Sequence, residues 1–168
     1  MTVICPVCQF DNYAGDDLCE NCGADLRASD TPEPATGFQG RLLGTHLDEL
    51  GAPAPQVIGP DVDVAEAIER MHREGIDCLL VTDGGRLVGI FTDRDALIKL
   101  AGHGPEHRPI SELMTRDPVV LRHDDPIAVA INKMAVGGFR HVPIVDGHRP
   151  IAVVSARDVF RHIATRLG

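Results

Sequence analysis

Tryptophan is absent from the 168-residue chain, which holds one tyrosine and five phenylalanines. A core must therefore be built from Val, Ile, Leu, Ala and Met, and the 43% hydrophobic content is enough to supply one. Basic residues are outnumbered: 16 Lys and Arg face 25 Asp and Glu, a formal net charge of -9. That balance argues against nucleic acid as a partner, because such affinity rests on cations neutralising phosphates. The opening MTVICPV has no basic n-region, and no run approaches the roughly 20 apolar residues that span a bilayer. A soluble, cytoplasmic protein without membrane contact is expected. Catalytic constellations are missing too. There is no paired nucleophile and base, no P-loop glycine cradle and no HExxH, and His46, His72, His103, His107, His123, His148 and His162 fall without metal-ligand spacing. An enzyme is not expected.

Cysteine is present but unevenly placed. Four of the five lie in the first 22 residues, as Cys5-Pro-Val-Cys8 and Cys19-Glu-Asn-Cys22, with ten residues between the pairs. In a cytosolic chain, paired CxxC knuckles read as a tetrahedral metal site rather than as disulfides, so Cys5, Cys8, Cys19 and Cys22 are the candidate ligands. Structural zinc is the expected ion. Iron in a rubredoxin-like site is the alternative, because four thiolates suit both metals. Gly23 supports a tight turn after the second knuckle, and the metal would supply folding energy that so short a segment cannot draw from a core. The segment CPVCQFDNYAGDDLCENCGADL resembles the bacterial and archaeal zinc-ribbon family. Zinc ribbons often touch nucleic acid, yet residues 1–26 carry Asp11, Asp16, Asp17, Glu20 and Asp25 and no Lys or Arg, which favours a structural or protein-contact role. The fifth cysteine, Cys78, stands alone in an apolar run and reads as a buried, inert thiol.

Residues 28–45, ASDTPEPATGFQGRLLGT, have the composition of a linker. Beyond them the sequence matches itself without gaps at an offset of 63: residues 47–101 align with 110–164, with 16 of 55 pairs identical. Two copies cannot make a solenoid, so a pseudo-twofold pair packed face to face is expected. Val64, Ala67, Ile68 and Met71, and again Ile127, Ala130, Ile131 and Met134, follow the i, i+3, i+4, i+7 spacing of an amphipathic helix. Asp63 with Glu66, and Asp125 with Pro126 as first helical residue, mark the starts, while Gly75 and Gly138 mark the ends. Two apolar runs then meet at Asp83-Gly84 or Asp146-Gly147, as in a hairpin, and a further helix begins at Thr92 or Ser155. Both last helices open on a hydroxyl residue followed three positions later by aspartate, in GIFTDRD and AVVSARD. That pattern serves equally as a capping box and as a polar edge for a ligand.

The doubled unit resembles a pair of cystathionine beta-synthase (CBS) domains, the Bateman module, carried by PISELMTRDPVVL, RHVPIVDG, GIFTDRD and AVVSARD. The expected fold class is α/β (α+β): a tandem CBS pair with pseudo-twofold symmetry plus a small zinc ribbon. The expected boundaries are 1–26 for the ribbon, 27–46 for a linker, and 47–106 and 107–168 for the two CBS domains.

The resemblance implies two clefts, which in many members hold AMP, ADP, ATP, S-adenosylmethionine or NAD, and a homodimer that signals to a protein partner. Some members bind no nucleotide. Carried over by position, Asp95 and Asp158 would accept from ribose hydroxyls, and Thr92 and Ser155 would contact phosphate or ribose, with the helix end offering its N–H groups. Arg140 and His141 stand where some members place phosphate-reaching basic residues, whereas the first copy has Asp77 and Cys78 there. Ala152 replaces the family's usual glycine. Asymmetric occupancy is therefore expected, favouring the cleft that joins Thr92 and Asp95 to Arg140 and His141. Arg94 and Arg157 read as helix-pairing residues as readily as phosphate contacts.

Overall fold

The computed structural model describes residues 2–4, 8, 10–13, 17–24, 44–101 and 107–167. Cys5, His103 and nearly all of the linker lie outside the described residues. The chain divides into two compact units, 1–41 and 42–168.

In the first unit, β1 (Thr2–Ile4) pairs antiparallel with β2 (Asp11–Tyr13), setting Val3 opposite Asn12. The first cysteine knuckle therefore falls between two paired strands.

The second unit is mixed α/β. One sheet runs in the order β3 (Val57–Ile58), β4 (Cys78–Asp83), β5 (Arg86–Thr92), β6 (Thr115–Arg116), and a separate hairpin joins β7 (His141–Asp146) to β8 (Arg149–Ser155). Among the described residues, α1 (Val64–Glu74), α2 (Asp93–Lys99), α3 (Ile127–Gly137) and α4 (Ala156–Leu167) accompany them. Single 3-10 turns, Leu47–Leu50 and Ile110–Glu112, open the two copies. Leu121, bridged in parallel to Ile144, takes in the second copy the place that β3 takes in the first.

Local chemistry accounts for these elements. Val64, Ala67 and Met71 bury one stripe of α1, and Ile127, Ala130 and Met134 the same stripe of α3. Asp63 caps α1 by accepting from Ala65 N–H at 2.8 Å. Gly75 (φ 64°) and Gly138 (φ 66°) end α1 and α3 in the left-handed region, as the sequence leads one to expect. Pro126 sits one position earlier than expected: it is the N-cap, with ψ 145°, and Ile127 is the first helical residue. Asp125 there accepts from Arg122 N–H at 2.7 Å, closing the turn before the helix rather than capping it. Between β4 and β5, Gly84 (φ 55°) and Gly85 (φ 81°) supply the two positive φ angles of a type I′ turn.

The two copies share their cores. The turn that opens each copy packs into the core of the other. Ile110, Leu113 and Met114 lie in the cluster of Val64, Met71, Leu79 and Phe91. Leu47, with half-buried Leu50, lies in that of Ile127, Met134, Val142 and Val154. Backbone bonds repeat this reciprocity at the 63-residue offset: Val64 N–H donates to Arg108 and Ile127 N–H to Thr45, both at 2.9 Å. Likewise Ile110 N–H donates to Val62 at 2.8 Å and Leu47 N–H to Asp125 at 3.0 Å.

The same crossing explains Gly89, where a Cβ would collide with the Met114 side chain. At the corresponding crossing Ala152 of the second copy takes the place of Gly89, and Gly51 of the first copy that of Met114, so the added methyl group is matched by a missing side chain.

Leu47→Ala and Ile110→Ala should each remove about 2–5 kcal/mol of unfolding free energy, the usual cost of emptying a buried aliphatic site. Urea denaturation of unit two should show one transition in each variant, because each deletion damages the core of the copy to which the residue has crossed.

Candidate functional site

The end of β5 and the start of α2 set the first polar edge. Thr92 and Asp95 form a reciprocal capping box. Asp95 Oδ2 accepts from the Thr92 N–H (3.0 Å) and hydroxyl (2.7 Å), and the Asp95 N–H reaches Thr92 Oγ1 at 3.2 Å. Asp95 Oδ1 meets Lys99 Nζ at 2.7 Å and accepts from the Thr115 hydroxyl at 3.2 Å. Partial burial alone would push this carboxyl up, but Lys99 and the Thr92 donors outweigh it and hold the carboxyl below its ordinary value of 3.8.

Facing this edge is the junction of α3 and β7. Thr92, Asp95, Arg140 and His141 line one cavity of about 370 Å³, whose apolar wall includes Ile90, Ile98, Val119 and Phe139. One wall comes from each copy. Arg140 Nη2 reaches both oxygens of Asp93, at 3.1 and 3.2 Å, and Arg94 Nη1 donates to Gly138 O at 2.8 Å. Arg94 thus pairs across the cavity rather than along its own helix.

The N–H groups expected to be free at this helix end are occupied. Asp93 N–H donates to Asp77 O (3.0 Å), Arg94 N–H to the Asp93 carboxylate (2.7 Å), and Asp95 N–H to the Thr92 hydroxyl.

Ser155 and Asp158 line a second cleft, of about 210 Å³, with Asp77, Cys78, Arg157 and Arg161. They repeat the capping box: Asp158 Oδ2 accepts from the Ser155 N–H at 2.9 Å and hydroxyl at 2.6 Å. Cys78 is half-buried rather than fully buried as expected, yet desolvation, with the charges of Asp77 and Asp93 nearby, pushes its thiol up to about 12, as befits an inert thiol. His141 lines both clefts. Its side chain is 7% exposed, and Nε2 lies 3.1 Å from Asp77 Oδ1 without the alignment of a hydrogen bond.

Motif reading did not single out Asp93, Lys99, Thr115 or Asp117. Asp93 and Lys99 sit at variable positions around the motif aspartate, and Thr115 arrives from the other copy. Asp117 signals itself only through its backbone, a left-handed φ of 45° at the cavity wall.

In unit one, the sulfurs of Cys8, Cys19 and Cys22 lie within 4.8 Å of one another. The Cys8–Cys19 separation of 3.6 Å is close to the roughly 3.8 Å between two sulfurs held tetrahedrally at about 2.3 Å from zinc. Asn21 first, then the Phe10 N–H, pull the Cys8 thiol down to about 6 against its partial burial. Buried Asn12 ties the knuckles together, donating to Phe10 O at 2.9 Å and accepting from Glu20 N–H at 3.0 Å. Gly23 turns with φ 71°. The three described sulfurs fit a thiolate-bound metal, and Cys5, the fourth expected ligand, lies outside the described residues.

A family model for the CBS domain matches residues 48–102 and 110–165. The chain belongs to the CBS domain family. An uncharacterised 17.7 kDa protein of Acidianus ambivalens is 31% identical to it over 121 residues, 71% of this chain and 73% of that one. Against the CBS-domain protein ATU1752 of Agrobacterium tumefaciens the TM-score is 0.65, with 32% identity over 70% of this chain and 98% of that one. The CBS domain pair of protein MJ0100, solved in complex with 5′-methylthioadenosine and S-adenosyl-L-methionine, gives a TM-score of 0.64 and 27% identity over 70% and 98% of the two chains. By contrast, the match takes in only 19% of the Arabidopsis thaliana CBS domain-containing protein CBSCBSPB2.

Since the Asp95 carboxyl is depressed below 3.8, its stabilising effect is present above about pH 4 and is lost as pH falls through the lower folded value. Asp95→Asn should flatten the dependence of unfolding free energy on pH between about 5 and 3, and Thr92→Ala should cost about 0.5–2 kcal/mol throughout. Urea denaturation at stepped pH reads both.

Proposed function

We propose that the CBS pair is a regulatory sensor whose first cleft binds an adenosine-containing small molecule (AMP, ADP, ATP, S-adenosylmethionine or NAD) and signals occupancy to a partner protein. One observation carries this reading: the cavity of about 370 Å³ at the seam of the two copies, with Thr92 and Asp95 on one side and Arg140 and His141 on the other. A ligand there touches both copies, so its binding energy couples directly to their arrangement. The apolar wall suits a base, and Asp95 would accept from ribose hydroxyls in exchange for Lys99 or Thr115. The second cleft, with Ser155 and Asp158, is smaller and presents Asp77 in the place of Arg140, which favours unequal occupancy.

Leu97 on α2 and Phe160 on α4 occupy equivalent positions of the two copies and are 74% and 71% exposed, a surface suited to a second copy in a homodimer. Zinc on Cys5, Cys8, Cys19 and Cys22 would hold unit one folded and leave its acidic surface for the partner, with iron as the alternative metal. Among the described residues no helix is long and apolar enough to cross a membrane. A second reading, an adaptor whose clefts stay empty, is favoured by the internal satisfaction of Asp95 by Thr92, Lys99 and Thr115.

Thermal denaturation with AMP, ATP, S-adenosylmethionine, 5′-methylthioadenosine and NAD separates the two readings. A ligand at 100 times its Kd should stabilise the protein by about 2.7 kcal/mol, and Asp95→Ala should remove most of that gain. No shift with any of them at millimolar concentration supports the adaptor. Metal analysis should find one zinc per colourless chain. Chelation should abolish amide-exchange protection in the paired strands Thr2–Ile4 and Asp11–Tyr13 and leave the melting of unit two intact, whereas a red protein means iron.

A further inference from the structure

We propose that Asp93 makes the first cleft selective for adenosine compounds that lack a 5′-phosphate. This rests on reading that cleft as the adenosine site. The Asp93 carboxylate holds Arg140 through both oxygens, at 3.1 and 3.2 Å, and accepts from Arg94 N–H at 2.7 Å. A guanidinium and a backbone N–H are the two donors that a phosphate beside this helix would use. Asp93 therefore stands where a ligand's phosphate would stand and uses the same donors.

Neither Lys99 nor Arg94, which also line the cavity, takes up the role. Lys99 is held by Asp95 at 2.7 Å and by Leu113 O at 2.6 Å, and Arg94 by Gly138 O at 2.8 Å. The N–H groups of Asp93 and Asp95 are also spent within the protein. Asp93, Asp95 and Asp117 balance Arg94, Lys99 and Arg140, so the wall offers a dianion no net attraction.

Arg140 is 59% exposed, and its ion pair is weak enough to open. Opening it does not help a phosphate, because Asp93 is fixed in the first residue of α2 and its charge stays beside the incoming anion. A neutral 5′ substituent meets no such repulsion and lies against Ile98, Val119 and Phe139 instead. The feature belongs to this cleft alone. At the equivalent positions the second copy has Ala156 for Asp93, and the first has Asp77 for Arg140.

Titration calorimetry of the full chain with 5′-methylthioadenosine and with AMP, at one ionic strength and about pH 7.5, where a phosphate monoester is mostly dianionic, tests this. The wild type should bind methylthioadenosine at least about tenfold more tightly, and Asp93→Asn, which removes the charge and keeps the shape, should cut that ratio about tenfold. Should Asp93→Asn fail to fold, the ratio measured on the wild type at rising salt replaces it: screening should narrow the preference. Equal or tighter AMP binding by the wild type overturns the selectivity and leaves the adenosine site standing. A preference unmoved by both Asp93→Asn and salt overturns the role of Asp93. Binding of neither compound removes the adenosine reading itself, and this inference with it.

Discussion

The crossing of the two opening turns governs the rest of the CBS pair. Ile110, Leu113 and Met114 leave their own copy to complete the core around Phe91, and Leu47 completes the core around Val142 in return. Each crossing is fastened by backbone bonds that recur at the same offset as the sequence repeat. Burial of these side chains stabilises the pair by the hydrophobic effect, while the bonds fix its register. The clefts follow from that geometry. Because each copy's last helix starts near the other copy's first full strand, Thr92 faces Arg140 and Ser155 shares a cleft with Asp77.

Helix capping and ligand recognition draw on one set of groups in both clefts. The hydroxyl and aspartate of each motif satisfy one another at 2.6–2.7 Å, so the edge of the cavity is rigid before anything enters it. A carboxylate has about four acceptor sites, and at Asp95 the Thr92, Lys99 and Thr115 donors take them all, so a ribose hydroxyl there enters by exchange with one of these donors. What differs between the clefts is the charge around this common edge. Asp93 and Arg140 form an ion pair at the first, and Ala156 and Asp77 make none at the second.

Much of this was legible in the sequence, for identifiable reasons. The helices α1 and α3 announced themselves because burial of one stripe forces the spacing of Val64, Ala67 and Met71 and of their counterparts, and the glycines ended them because only glycine takes a left-handed φ cheaply. The pairing of Thr92 and Asp95 with Arg140 and His141 around one cavity was anticipated through the family resemblance. The shift at Pro126 was not, because its φ suits both the N-cap and the first helical turn, and the Asp125–Arg122 contact decides between them. Nor could spacing reveal Asp93 as a partner of Arg140, since the two are 47 residues apart and meet only through the pseudo-twofold packing. The glycine at 89 and the alanine at 152 looked like a departure from pattern. They are complementary answers to the side chains at Met114 and Gly51.

The reciprocal crossing also bears on ancestry. A chain holding one copy would lack the residues that finish its own core, and it could bury that surface only by trading turns with a second identical chain. The present protein is equivalent to a domain-swapped homodimer whose halves have been joined end to end. Two copies in one chain need not be identical, so a charge such as Asp93 can stand at one seam without its image at the other.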